Sequence, residues 1–590
     1  MVSFAPRSLR QYAFIADGER GALVGPQGDV AFMCAPRWHD DAAFASLIGG
    51  NGHFTVTPRS ERYVWGGYHE PDSLIWRSRW VTEDSVIECR DALSFPGDRH
   101  RAVLLRRIEP VDGVARVDAI VQVAAGFGEH AMAVKQVADG VWQGRSGPLY
   151  VRWTGAPRVA ATQDELYGTL DVDPSHHHDL VLEISDQPLP RELVEPDHAW
   201  AATERAWREA VPTITSSIAP GDSQHSYAVL RGLTSSDGGM AAAATMAIPE
   251  RAEQGRNYDY RYAWIRDQCF TGQAAAEAGA LPLLDDALRF VSARLLDHGP
   301  DLRPAYTVDG QRVPDERDLD LPGYPGGEAK VGNWVNNQFQ LDAFGEALLL
   351  FTAGERHGRS DDTVRQAAQA AVVGIEKRWT EPDAGIWELD DQRWAHSRLM
   401  CAAGLRSYAA QLGGSDAQRW RSMADGLVAD VNQDCLHPSG RWKRAPDDER
   451  VDAALLLPAI RGAVSRRDPR ALATLEAVEH ELVRDGYVYR FRHDDRPLNE
   501  AEGAFQLCGF QLAIAEHQND MTVQAMRRFE RVRASVGPPG LFTEEFDVVQ
   551  RELRGNMPQG FVHALLIESA SRLSRAPDPD PFDNPEGTPL

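Results

Sequence analysis

Residues 180–209 read LVLEISDQPLPRELVEPDHAWAATERAWRE, and the apolar period changes inside this stretch. Leu180-Val181-Leu182-Glu183-Ile184 reads as a short strand, whereas His198-Ala199-Trp200 through Glu209 reads as a connecting helix. Upstream, back to residue 12, the apolar pattern has period two and is broken by Gly, Pro and Asp. Val117, Ala119, Val121 and Val123 alternate with Arg116, Asp118, Ile120 and Gln122, with Ile120 as an apolar exception on the outer face. Val111-Asp112-Gly113 gives a hairpin signal between two strand-like runs. Many short strands with frequent turns point to an antiparallel sandwich.

Downstream the period lengthens. Leu341, Phe344 and Leu348 share a face of a helix expected over 337–351; Phe505, Cys508 and Leu512 do the same, as do Val562, Leu566, Ala570 and Leu573. About twelve such segments follow one another to residue 574. They are compatible with a bundle, a solenoid or a closed toroid, and periodicity does not choose, although no fixed-length repeat marks a solenoid. These shifts divide the chain into 1–194 (sandwich), 195–220 (helical linker), 221–575 (helical domain) and 576–590, a Pro- and Asp-rich tail expected to be disordered.

The bulk numbers narrow the function. With 590 residues, 43% hydrophobic and 25% charged, the composition is that of an ordinary globular protein. A net charge of −25 argues against a nucleic-acid partner, which needs a basic footprint. No run of about 18 apolar residues predicts a membrane span, and the start lacks the apolar stretch of a secretory signal, so a cytoplasmic location is the default expectation. Cys34, Cys89, Cys269, Cys401, Cys435 and Cys508 are scattered without a CxxC pair and read as buried thiols in a reducing compartment. His176-His177-His178 with Asp179 could suggest a metal, but adjacent loop histidines rarely converge on one ion; no metal and no cofactor are expected.

Chemistry concentrates in a few loops. Asn257-Tyr258-Asp259-Tyr260-Arg261-Tyr262-Ala263-Trp264-Ile265-Arg266-Asp267 interleaves rings with charges, as suits a sugar, whose apolar faces stack and whose hydroxyls bond. A loop packed by its aromatics and an Arg–Asp pair would look the same. Gly385-Ile386-Trp387-Glu388 sets a tryptophan before a carboxylate, which can raise a carboxyl pKa as a general acid requires. Leu541-Phe542-Thr543-Glu544-Glu545-Phe546-Asp547 holds three carboxylates among apolar residues, and Tyr489-Arg490-Phe491 with Glu502 adds an arginine and another acid. Glycoside hydrolysis commonly uses one carboxyl to protonate the leaving oxygen and another to activate water or attack carbon. Glu388 and Glu544 could be that pair, but they lie far apart in the chain, so tertiary structure must bring them together.

In order along the chain stand NYDYRYAWIRD, VGNWVNNQFQLDAFGE, GIWE, VDAALLLP, DGYVYRF, EGAF, and LFTEEFD with GNMPQGFVHALLI. Together they resemble glycoside hydrolase family 15, the glucoamylase, glucodextranase and bacterial trehalase group. The opening ADGERGALVGPQGDVAFMCAPRW is similar to the sandwich domain that precedes the catalytic domain in bacterial members. The resemblance runs from about residue 15 to 574. It implies an N-terminal antiparallel β-sandwich followed by an (α/α)6 toroid, and an inverting, exo-acting hydrolase that releases β-glucose from short α-glucans or disaccharides. Trehalose hydrolysis is the alternative on the same scaffold, and a sugar-binding protein without activity stands behind both. By motif match, Glu388 is the general acid and Glu544 the general base, with Glu545 its rival. Arg266 and Asp267 match the pair that holds the innermost sugar, Tyr260 a tyrosine beside the catalytic water, Trp264 and Trp387 ring contacts, and Arg490 a sugar-binding arginine; Glu502 is counted with them.

The partner expected is a small-molecule or oligosaccharide α-glucoside, with neither nucleic acid nor membrane, and the oligomeric state stays open. Arg393-Trp394-Ala395-His396-Ser397-Arg398 and Asp390-Asp391 depart from the family pattern where the leaving sugar should sit. The sandwich is expected to pack on the toroid and shape the pocket rim.

Overall fold

The computed structural model describes residues 5–156, 158–162, 164–250, 256–580 and 582. Two antiparallel sheets, of eight and nine strands, make up the N-terminal region, whose last strand is His178–Ser185. Strand Ala115–Gln122 turns Ala115, Val117, Ala119 and Val121 into the sandwich interior, where Trp76, Trp80 and Trp153 are also buried. The hairpin expected at Val111–Gly113 is not one. Strand Arg101–Asp112 pairs within the nine-stranded sheet and Ala115–Gln122 within the eight-stranded one, so the chain changes sheets there. Gly113, at φ +68°, passes so close to the Asp84 carbonyl that a Cβ would meet it at 2.4 Å. The turn signal was genuine, but local sequence does not say which strand the next one pairs with.

Strands Ala13–Ala16, Gly21–Val24 and Asp29–Cys34 are buried along their whole length because they serve two cores. Ala13, Ile15, Ala22, Val24, Val30 and Met33 face the sandwich interior. Phe14, Ala16, Leu23, Ala31, Phe32 and Cys34 point the other way, into a core shared with the helical region. Period-two alternation thus sorts residues between two interiors rather than between core and water.

The helices are α1 (Pro196–Ala210), α2 (Pro220–Leu233), α3 (Ile265–Glu277), α4 (Leu281–His298), α5 (Asp342–Arg356), α6 (Asp362–Arg378), α7 (Ala395–Ala409), α8 (Gly414–Asp434), α9 (Leu457–Ile460), α10 (Pro469–Glu481), α11 (Gln506–Gln518), α12 (Thr522–Arg533) and α13 (Gly560–Arg572). Glu195 starts α1 by accepting from the Asp197 and His198 amides, with Pro196 in the first turn. Packing runs α3–α5–α7–α9–α11–α13 and from α13 back to α3, closing an inner ring. Helices α2, α4, α6, α8, α10 and α12 lie outside it.

Outer helices carry the amphipathic stripe; α12 buries Ala525, Phe529 and Val532, and α8 buries Ala417, Trp420, Ala424, Leu427, Val428 and Val431. Inner helices do not. Every residue of α11 from Gln506 to His517 is buried, so the single face expected for Cys508 and Leu512 widens to the whole circumference. Gly345 and Gly404 let α5 and α7 touch, since a Cβ on Gly404 would lie 2.4 Å from the Gly345 carbonyl oxygen. The helix expected from residue 337 begins at Asp342, after a 3-10 turn at Trp334–Asn337. Part of the tail expected to be disordered is docked: buried Asp580 accepts from the Ser465 hydroxyl (2.6 Å) and the Arg466 amide (3.1 Å). Residues 581 and 583–590 of that expectation lie outside the described residues. Among the described residues no helix is long and apolar enough to cross a membrane.

A buried ion pair joins sandwich and toroid. Arg261 donates to Asp259 through Nε (2.9 Å) and Nη2 (2.7 Å), while its Nη1 donates to the carbonyls of Trp38 (3.2 Å) and Asp40 (2.6 Å). Asp259 also accepts from the Tyr262 hydroxyl and the Gly332 amide, both at 3.0 Å. Removing one partner strands the other's charge in the interior. Arg261→Leu is therefore expected to cost about 3–5 kcal/mol, read as a lowered denaturation midpoint. The double variant Asp259→Asn/Arg261→Leu should recover part of that loss.

Candidate active site

The loops that precede inner helices meet at one end of the ring. Tyr260 and Arg266 come from the entry and first turn of α3, Trp334 from the approach to α5, and Glu388 from the approach to α7. Arg490 precedes α11 and Glu544 precedes α13. Together they line a pocket open to solvent. Ring closure is what places Glu388 and Glu544 on one cavity.

Glu388 sits in a left-handed backbone conformation, φ +55°, which non-glycine residues rarely adopt and which clusters at functional sites. Gly385 before it, also at positive φ, presses against the Trp394 ring, where a Cβ would lie 2.7 Å from Cδ1. Arg266 Nη1 donates to the Ile386 carbonyl (2.9 Å) and reaches Glu388 Oε1 at 3.4 Å, so one guanidinium holds both the loop and its carboxylate. Gln338 Nε2 approaches the other oxygen at 3.5 Å. The Trp387 indole donates to Asp452 Oδ1 (2.9 Å), and its ring meets Phe505 edge-on at 5.5 Å.

Across the pocket Glu544 accepts from the Tyr260 hydroxyl at 3.1 Å. It is nearly enclosed, and burial, followed by the charge of Glu250, pushes its pKa up to about 8. Arg490, the Tyr260 hydrogen bond and Arg266 pull the other way. The residues around it include acids, but they enclose it. Glu545 is turned away, fully buried, and accepts from the Gly503 amide at 2.7 Å.

Of the residues singled out in the sequence, Tyr260, Arg266, Trp387, Glu388, Arg490 and Glu544 line the pocket. Three others stand one layer behind. Trp264 packs edge-on to Tyr260 at 5.6 Å. Asp267 pairs with Arg266 Nε at 3.2 Å, its own pKa pushed up by burial to about 6. Glu502 holds Arg490 through Nε (2.8 Å) and Nη2 (2.7 Å), and His493 at 2.6 Å.

The lining also includes Glu250, Arg256, Tyr258, Asn333, Trp334 and Phe561. Tyr258, Asn333, Trp334 and Phe561 lie inside the motifs quoted above; Glu250 and Arg256 lie outside them, and nothing local marks them. Arg393 and Arg398 pair with Asp430 and Asp434 of α8 rather than facing the pocket. Trp394 and His396 line a small adjoining cavity that shares Ile386, Trp387 and Leu389 with the pocket. His177 lies 3.5 Å from Asp179 and 3.7 Å from Asp197, but Arg107 pairs with both carboxylates, which already supplies their counter-charge.

Residues 225–571 match the family described as glycosyl hydrolases family 15, and residues 3–207 match a trehalase-like N-terminal domain. A trehalase of Mycolicibacterium smegmatis is 29% identical over 96% of this chain and 91% of its own length. A trehalase of Mycobacterium tuberculosis is likewise 29% identical, over 96% and 90%. Among solved structures, a bacterial glucoamylase in complex with acarbose superposes with a TM-score of 0.72 over 97% of this chain and 94% of that one. At 13% identity that likeness is one of fold.

The raised pKa of Glu544 has a consequence for stability. A carboxyl whose folded pKa of about 8 exceeds its ordinary value of about 4.3 binds its proton more tightly when folded. Its contribution is full below the lower value and is lost as pH rises through the upper one. Glu544→Gln removes that loss, so its melting temperature should overtake the wild type's as pH rises from about 5 to about 9. Parallel pH profiles for the two proteins would contradict this.

Proposed function

The chain belongs to glycoside hydrolase family 15 and is a glycosidase, and from that premise we propose that it hydrolyses a short α-glucoside, α,α-trehalose first among them, with inversion at the attacked carbon. The observation that carries this reading is the shared pocket. Glu388, gripped by Arg266, and Glu544, bonded to Tyr260, stand on one cavity fed by loops from around the ring. Glu388 protonates the glycosidic oxygen. Glu544 takes a proton from water, whose hydroxyl attacks the anomeric carbon from the opposite face. Inversion needs the two carboxyls about 6.5–9.5 Å apart, to leave room for that water. Arg266 and Arg490 supply fixed donors to the hydroxyls of the innermost sugar, and Trp387 supplies a ring face.

Trehalose comes before longer α-glucans because relatives named trehalase align over nearly the whole chain, and the N-terminal region matches the trehalase-like domain. The glucoamylase-type reading is the second candidate. It rests on the motifs themselves, which the group shares.

Proton NMR of the protein with trehalose, maltose, isomaltose and dextran oligomers tests both readings. Inverting cleavage of trehalose yields one β-glucose from the attacked ring and one α-glucose from the leaving ring, in equal amounts at early times. Early β-glucose from maltose or isomaltose, with trehalose untouched, would move the assignment to the glucoamylase type; α-glucose alone would rule out inversion. Glu388→Gln and Glu544→Gln should each lower kcat about 100-fold or more with the fold intact. Because the base must be ionised, kcat/KM should fall as pH drops through the raised pKa of Glu544, well above the ordinary carboxylate range.

A further inference from the structure

A third carboxyl lines the pocket, and the two-carboxyl reaction does not use it. Glu250 is 5% exposed, and its Oε2, turned away from water, accepts no hydrogen bond from the described residues. Arg256 Nε stands 3.7 Å from that oxygen, beyond hydrogen-bond reach. Glu250 and Glu544 flank the same glycine. A Cβ on Gly555 would lie 3.6 Å from Glu544 Cβ and 3.8 Å from Glu250 Cγ. The Gly555 amide donates to the Pro249 carbonyl at 3.0 Å, which fixes the chain just before Glu250. Gly555 has φ +82°, a conformation that suits glycine and leaves the space between the two acids clear of a side chain.

Charge makes the arrangement consequential. Glu250, Glu502, Glu544 and Glu545 are all buried here, facing the cations Arg256 and Arg490, with His493 beside Glu502. Tyr258 and Tyr260 complete the surroundings and carry no charge in their ordinary form. Glu502 takes the strongest pairing, with Arg490 and His493 on one oxygen. Arg266 also acts on Glu544 while pairing with Asp267 and Glu388, so among the described residues the four buried carboxylates share their cations with other acids. Burial and mutual repulsion together favour a retained proton among Glu250, Glu544 and Glu545.

We propose that Glu250 is a positioning residue for the base: facing Glu544 across Gly555, its charge couples to that of Glu544 and so sets the charge state in which Glu544 meets the catalytic water. The inference rests on the hydrolase reading above for its catalytic meaning. Its physical content, coupling between two carboxyls, can be measured without substrate.

Glu250→Gln keeps the shape and removes the charge. With a like charge gone, Glu544 ionises more readily, so the acid limb of kcat/KM should move to lower pH by about one unit or more. Glu250→Asp, which keeps the charge, should leave the limb near that of the wild type. In the substrate-free arm, the stabilisation that Glu544→Gln confers at alkaline pH should shrink in the Glu250→Gln background. An unmoved acid limb, or an equal gain from Glu544→Gln in both backgrounds, would overturn the proposal. If no α-glucoside is cut by the wild-type protein, the hydrolase reading falls while the melting experiment still decides on the coupling.

Discussion

The Asp259–Arg261 pair is the joint on which the pocket depends. Both side chains are fully buried, and each has further partners on a different element. Arg261 reaches into the sandwich loop at Trp38 and Asp40, while Asp259 gathers Tyr262 and Gly332. The Asp259 carbonyl also accepts from Asn333 at 3.2 Å. One ion pair thereby sets the segment bearing Tyr260 and the turn bearing Trp334, both of which line the pocket. A charge pair this deep contributes little net stability, because desolvation offsets most of the attraction. Its effect is on geometry, since any other arrangement leaves a charge stranded. The sandwich acts on the site through this joint, as a clamp on the loop that leads into α3.

The pocket itself is built from charges that burial makes demanding. The entry loops converge at one end of the inner ring and gather charged side chains there. Arginines there have two tasks. Arg266 fixes the Glu388 loop, and Arg490, over the Phe505 ring at 4.3 Å, is itself held by Glu502. Acids outnumber these cations on the Glu544 side, so proton occupancy there belongs to a group of side chains rather than to one. Glu388 is placed differently, on a strained backbone and more open to solvent. Two chemically identical carboxyls thus stand in unlike surroundings.

Much of this was legible in the chain. The shift of period within residues 180–209 separates sandwich from helices, and its cause is elementary: a strand alternates faces every residue, whereas a helix returns to one every three or four. The motif series from NYDYRYAWIRD to GNMPQGF carries eleven of the residues that line the pocket. Sequence determines such features because they are local, set by residue type and spacing. Tertiary structure decided the rest. Whether Val111–Gly113 closes a hairpin depends on which strand is free to pair. Whether α11 shows one apolar face or none depends on what surrounds it. Trp264, Asp267 and Glu502 lie behind the pocket wall although their motifs place them beside residues that line it. Glu250, without any local mark, stands opposite Glu544 because ring closure brings α13's entry loop against the segment before α3. Burial, pairing and charge coupling are properties of neighbours in space, and the chain supplies those neighbours only once the ring has closed.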